Sequence, residues 1–378
     1  AVAPSDATVP ASAPPAQRRP DIVLVTLDTV RADRTSLYGY GKETTPRLKQ
    51  LGASGVVFDH AYATGSDTQG ALVPLVSGRH YRDTPHTTKE WPRIRDEADL
   101  VAERLKGAGY VTAAVVSFTW LRKGRGFAQG FDEFDESPWS DRHPERESNG
   151  EQAVRAAVAI HRKLSAASAP LFLWLHLFDA HTKYIEHPGL DFGSGESGLY
   201  DGEIAFVDAQ LGALVDAVNA STRADQTVFV VHGSHGEAFG EHGQTGHGNH
   251  LYDEMIRVPL LVAAPGSSAA RVADRAVSTL DVVPTLLDYA GLSTADFPGT
   301  SLRGAVEGQI LEHPPVLAYV GRRVALIDWP LKLIASARDD RPDRLVLFEL
   351  AADPGEQRDL SQERRDDLRR LDELRKQR

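Results

Sequence analysis

The chain contains no cysteine, which excludes disulfides, thiolate metal centres and thiol nucleophiles and leaves the redox compartment open. Basic charge is also short: 42 Lys and Arg stand against 53 Asp and Glu, a net charge of −11. A general nucleic-acid surface needs clustered cations to neutralise phosphates, so no nucleic acid is expected as a partner. No apolar run approaches the roughly 20 residues of a membrane span, so none is expected in this chain. Residues 1–19, "AVAPSDATVPASAPPAQRR", are too rich in Ala, Pro and Ser to bury enough surface for order. They read as a linker left by removal of a signal or anchor, which favours a periplasmic or extracellular location.

Beyond residue 19, strand and helix patterns alternate. Continuous apolar runs at 21–28, 55–58, 110–116, 170–176, 227–231 and 258–263 predict strands buried on both faces. Helices are expected from Thr45-Pro46 to about Leu51, from Asp96 to Lys106, over 151–165 and over 200–218. This alternation predicts an α/β fold, a large, mostly parallel sheet flanked by helices, over 20–300. From about 301 the pattern changes to short strands with close turns ("PVLAYVG", "RVALID", "LKLIASA", "RLVLFEL"). These predict a small C-terminal antiparallel sheet subdomain over 301–378, closed by a terminal helix whose Leu368, Leu371 and Leu374 form one packing stripe.

Ligands of open α/β sheets sit beyond the carboxyl ends of the strands. Asp28, the group His176, Asp179 and His181, and the pair His232 and His235 each come at a strand end there. One such residue is ordinarily a turn or a cap, whereas three strand ends of this kind point to a shared site. The stretch "VVHGSHGE" (230–237) has the form of a metal or anion turn, yet Ser234 stands between its glycines where a carboxylate would suit a hard cation better.

Six segments, in order, carry a resemblance: "DIVLVTLDTVRADRTSLYGYGKETTPRLKQLGASGVVFDHAYA", "LWLHLFDAHTKY", "YDGEIAFVDAQLG", "HGEAFGEHGQTGHGNHLYDEMIRVPLLV", "VSTLDVVPTLLDYAGL" and "LFELAADPGEQRDL". Together they resemble the sulfatase family of the alkaline-phosphatase superfamily over nearly all of 20–360. The resemblance implies hydrolysis of sulfate or phosphate esters by one divalent metal (Ca, Mg, Mn or Zn) and a nucleophile at a helix N-terminus. It puts the metal at Asp28, His235 and Ser234, where relatives have Asp at the Ser234 position and often a second oxygen ligand at Thr29. The nucleophile position falls on Thr68, whose other reading is a helix cap. His181 corresponds to the histidine set against the leaving group, and His247 to a substrate-contacting Lys or His. His176 is expected to orient neighbours, and His242 and His250 to be loop residues.

Thr68 cannot become the formylglycine that sulfate-ester hydrolases make from Cys or Ser. Gly70 and Leu72 replace the proline and arginine of that maturation signature. Phosphate esters therefore come ahead of sulfate esters as substrates. The other reading is a catalytically inactive relative that binds an anionic glycan or lipid head group, or serves as an assembly subunit.

Overall fold

The computed structural model describes residues 19–88, 92–138 and 149–378, so the expected linker lies, except for Arg19, outside the described residues. The strands, in chain order, are β1 (Asp21–Leu27), β2 (Val56–Tyr62), β3 (Val111–Val115), β4 (Glu133–Asp135), β5 (Leu171–Leu177) and β6 (Thr227–Gly233). After them come a two-residue pair, β7 (Ala238–Phe239) and β8 (Thr245–Gly246), then β9 (Leu260–Ala263) and β10 (Ala270–Ser278). The last four strands are β11 (Val316–Val320), β12 (Arg323–Asp328), β13 (Leu331–Ser336) and β14 (Arg344–Glu349).

The large sheet runs β10-β2-β9-β6-β1-β5-β3-β4. Its pairings are parallel except those of β9, which is antiparallel to both β2 and β6. Strand β1 is central and entirely buried, as its unbroken apolar run requires. Its residues alternate between two cores: Ile22 and Leu24 face one, and Val23, Val25 and Leu27 the other.

Helices α1 (Pro46–Gly52), α4 (Gly150–Leu164) and α5 (Glu196–Asn219) supply Leu48, Val154 and Ile204 to the second core. Helices α2 (Thr68–Ser77), α3 (Val101–Gly107) and α7 (Val282–Tyr289) supply Leu72, Leu105 and Leu286 to the first. Among the described residues, no helix is long and apolar enough to cross a membrane.

Two differences from the sequence pattern have local causes. Helix α3 begins at Val101 rather than Asp96, because the Glu103 carboxylate accepts the Leu100 N–H at 3.0 Å and starts the first turn there. The edge strands β4 and β10 escape an apolar-run criterion because they are short or largely exposed.

Strands β11 to β14 form the antiparallel C-terminal sheet. One face packs on Leu371 of α9 (Arg365–Lys376), with Leu368 and Leu374 half-buried beside it. The other face joins Tyr62, Ala63 and Ala276 at the edge of the large sheet in one apolar cluster.

Candidate active site

The carboxyl ends of β1, β5 and β6 lie side by side, with Thr26 in register with His176 on one flank and His232 on the other. Asp28 leaves the end of β1 and is buried. The turn after β6 can lie against it only because its glycines lack side chains. A Cβ at Gly233 would meet the Val30 carbonyl oxygen at 2.7 Å, and one at Gly236 would meet that of Glu254 at 2.1 Å. That close approach puts Ser234 beside Asp28, to which its hydroxyl donates a short hydrogen bond. The same hydroxyl oxygen accepts the Thr29 N–H at 3.1 Å.

Thr29 does not face Asp28 with its side chain. It adopts φ 53°, an uncommon backbone for a β-branched residue. Its hydroxyl donates to the Ala180 carbonyl at 2.5 Å, and its own carbonyl accepts the Tyr200 hydroxyl at 2.6 Å. The three interactions hold the turn after β1 in place.

Three histidines surround Asp28. His176 Nε2 lies 3.8 Å from Oδ2, and His235 Nε2 lies 3.9 Å from Oδ1. Both Nε2 atoms and Asp28 Oδ2 are buried without a hydrogen-bond partner. His232 differs, because its Nδ1 donates to the Gly233 carbonyl at 2.7 Å and its Nε2 pairs with the Thr26 hydroxyl at 2.9 Å. Burial pushes the His176, His232 and His235 imidazoles down to about 4, whereas Asp28, despite its burial, is held below the ordinary carboxylate range by His176, His235, His181 and the Ser234 hydrogen bond. At neutral pH the pocket therefore contains an ionised carboxylate among neutral imidazoles.

The donor types suit a divalent cation, and unpartnered buried polar atoms are what such a cation would satisfy. As they stand, no three His, Asp or Glu side chains among the described residues converge on one bonding point. Ser234 adds an oxygen with one remaining lone pair but no charge.

Beyond His235 the site opens. The His247 ring lies 4.5 Å from that of His235 and 5.0 Å from that of His181, which itself stacks on Phe178 at 4.5 Å. His247 Nδ1 is 3.2 Å from each oxygen of Glu237, and Tyr184 donates to Glu237 at 3.1 Å. Burial works to lower the His247 pKa, but the Glu237 hydrogen bond and charge outweigh it and raise the pKa. The role of Glu237 was readable only as the last letter of "HGE"; its partner is ten residues away and meets it through the fold.

His181 and His247 line a cleft of about 710 Å³ together with Asp67, Thr68, Phe118 and Trp120. Thr68 is the first residue of α2, and the helix cap is its neighbour: Asp67 is extended, and its carboxylate accepts the Gly70 N–H at 2.8 Å. The capping reading of Thr68 is thereby overturned. His242 and His250 lie apart from the cleft, both stacked on Tyr252 at 3.7 and 4.9 Å, with His242 also bonded to Glu254 at 2.9 Å.

The Sulfatase family model matches residues 20–292. Choline-sulfatase of Rhizobium meliloti (strain 1021) is 31% identical over 172 residues, 43% of this chain and 32% of that protein, so the match spans about a third of that relative's length. The phosphonate monoester hydrolase of Agrobacterium radiobacter has a TM-score of 0.74 at 19% identity, covering 95% of this chain and 94% of that one. A structure solved in complex with its substrate D-glucosamine-2-N,6-O-disulfate has a TM-score of 0.79 at 17% identity, covering 95% and 98%. At these identities the two structures show a shared fold. With the family match covering most of its length, the chain belongs to the sulfatase family of the alkaline-phosphatase superfamily.

Proposed function

We propose that this protein hydrolyses or transfers small anionic esters, phosphate esters ahead of sulfate esters, with Thr68 as the nucleophile. One observation carries the reading: Thr68, His181 and His247 line a single cleft, and Thr68 stands at the N-terminus of α2 without being its cap. Asp67 already takes the Gly70 N–H, so what α2 offers an anion there is the positive end of its dipole. In the reaction, Thr68 Oγ gives up its proton to solvent and forms a bond to phosphorus while the bond from phosphorus to the alcohol oxygen breaks and that oxygen takes a proton; water then bonds to phosphorus, the bond from phosphorus to Thr68 Oγ breaks and the hydroxyl is restored.

His181 Nδ1 donates to the Thr182 carbonyl at 2.9 Å, which leaves Nε2 to exchange a proton with the departing oxygen. His247, whose pKa Glu237 raises, offers a cation to the non-bridging oxygens. Asp28, His235 and Ser234 would hold one divalent metal, which when bound offsets ester charge and lowers the nucleophile's pKa. Thr68 has no route to formylglycine, which is the reason phosphorus is preferred.

A second reading, a non-catalytic protein whose cleft binds an anionic glycan or lipid head group, or an assembly subunit, draws on Ser234 in the carboxylate position and on Thr29 turned away toward Ala180. The test is turnover of aryl phosphate mono- and diesters and aryl sulfates by the full chain with each of the four metals. Phosphate-ester turnover is expected, falling by at least roughly a thousand-fold in Thr68→Ala. Stability should stay within about 0.5 kcal/mol, since Asp67 retains the cap. Turnover unchanged in Thr68→Ala would overturn the mechanism. Absence of turnover, with retained binding of sulfated or phosphorylated ligands, would make the second reading the better one.

A further inference from the structure

We propose that Arg125 is a specificity-determining residue: it binds a second oxyanion on the alcohol side of the substrate, so the preferred ester is one whose alcohol carries a carboxylate or similar group. The inference rests on the reading of Thr68, His181 and His247 as the reacting site, and it names the substrate class of that site.

Sheet order sets the direction in which the alcohol extends. Strands β6, β1, β5 and β3 lie side by side with their carboxyl ends together. Asp28 follows β1, His181 follows β5, and residues 117–125 follow β3. Strand β3 is two strand spacings from β1, about 10 Å, with β5 between them. The side chains keep that order, since the His181 ring lies 5.0 Å from that of His247 and 5.9 Å from that of Phe118. Because His181 serves the departing oxygen, the alcohol runs past it toward residues 118–125.

A cation on an aromatic support stands there. The Arg125 guanidinium carbon lies 5.2 Å from the centre of the buried Trp120 ring, and both residues line the cleft that holds Thr68. Stacking uses the face of a guanidinium, whereas its N–H groups lie in the plane, where one carboxylate or phosphate can take two of them at once. The backbone beneath is fixed. The Arg125 carbonyl accepts the Ile94 N–H at 3.0 Å, and a Cβ at Gly126 would meet the Ile94 carbonyl oxygen at 2.4 Å. Arg122 and Lys123 precede it, so three cations fall within four residues in a chain of net charge −11. The Glu136 carboxylate takes the Lys123 N–H at 3.0 Å and ties this run down.

Charge and size agree. Among the described residues lining the cleft, Asp67 is committed to the cap of α2, and His181 and His247 serve the reacting group. Arg125 is the remaining charged side chain of that lining. A volume of about 710 Å³ suits a whole small molecule rather than a phosphoryl group alone.

The experiment measures kcat/KM of the full chain, with the metal that best supports turnover, on 3- and 4-carboxyphenyl phosphate and on their neutral carbamoyl counterparts. The natural protein, Arg125→Gln and Arg125→Lys are compared, and the matching phosphonates, which cannot be hydrolysed, are titrated calorimetrically. In the natural protein a preference of about 10- to 100-fold for the carboxylate is expected in at least one position. It should fall below about threefold in Arg125→Gln and survive in part in Arg125→Lys, which keeps the charge but loses the fork. The substituent's effect on the leaving oxygen is common to all three proteins and cancels in this comparison. If Arg125 only packed on Trp120, its loss would lower both members of a pair alike. Equal turnover or equal binding of a pair by the natural protein, or the same preference in Arg125→Gln, would overturn the role of Arg125, and turnover of both esters would leave the hydrolase reading intact. Absence of turnover, with the carboxyphosphonate preferred in binding and that preference lost in Arg125→Gln, would uphold Arg125 and overturn hydrolysis. Neither turnover nor binding would overturn both. The preference of the natural protein needs no variant, so a folding failure of Arg125→Gln does not remove the test.

Discussion

The Ser234 hydroxyl gives its hydrogen to Asp28 and takes the N–H of Thr29, so one neutral side chain ties the ends of β6 and β1 together. Replacing it by a carboxylate reverses its electrostatic effect. In Ser234→Asp, without metal, a second negative charge would stand unpaired against Asp28 in a buried place, a cost of about 3–5 kcal/mol. With metal, the same charge becomes a better ligand than a hydroxyl. The variant should therefore melt lower than the natural protein in chelator and show a larger rise in melting temperature on adding zinc, manganese, magnesium or calcium. Thermal melts with and without each ion measure this directly. An unchanged melting temperature in chelator, combined with no larger rise, would mean that residue 234 does not face the cation.

At the scale of elements, the junction of β10 and α7 depends on Asp281. Its carboxylate accepts the Ser278 and Thr300 N–H groups, each at 2.7 Å, and lies 2.8 Å from His313 Nε2. Because His313 Nδ1 donates to the Pro314 carbonyl at 2.7 Å, Nε2 can donate to Asp281 only when the ring is protonated. Burial lowers the His313 pKa, but Asp281 outweighs it and raises it above the ordinary histidine value. A raised pKa in the folded state means stabilisation that is complete below about pH 6.5 and lost as pH rises through the folded-state value. The natural protein should thus exceed His313→Gln in stability by about 1–2 kcal/mol near pH 5.5, with the difference shrinking by pH 9. Denaturant melts at the two pH values test it, and a constant difference would rule out the ion pair as the cause. No sequence pattern announces this contact, since His313 and Asp281 are 32 residues apart and neither sits in a periodic segment.

For the whole molecule, the link between the C-terminal sheet and the rest is partly ionic. Lys332 of β13 is fully buried, 2.7 Å from Asp253 and 2.9 Å from Glu356. Asp253 opens the short helix that follows the His247–His250 loop. Burial, together with Asp253, raises the Glu356 pKa to about 7 even with Lys332 present. Lys332→Ala would leave the buried Glu356 carboxyl facing the partly buried Asp253 carboxylate without a cation and should cost about 3–5 kcal/mol in denaturant unfolding. A loss below about 1 kcal/mol would show that apolar packing around Tyr62, Ile334 and Phe348 alone secures the junction.

Apolar runs and turn residues by themselves determined the alternation of strands and helices, the change of pattern after residue 300, and the strand ends at which Asp28, His176 and His235 collect. They suffice because burial on both faces needs a continuous apolar run, and a parallel sheet brings its carboxyl ends together whatever the loops do. Tertiary structure alone decided the rest. That β9 runs antiparallel, that Asp67 rather than Thr68 caps α2, and that Glu237 holds His247 depend on how separate segments meet. The histidines make the clearest case. His176, His232 and His235 are alike as letters, but tertiary structure gives their rings different partners: a hydroxyl oxygen, a carbonyl with a threonine hydroxyl, and a carbonyl alone. Those partners come from residues up to 206 positions away, and a proton's place on an imidazole is set by the groups within hydrogen-bond reach of it.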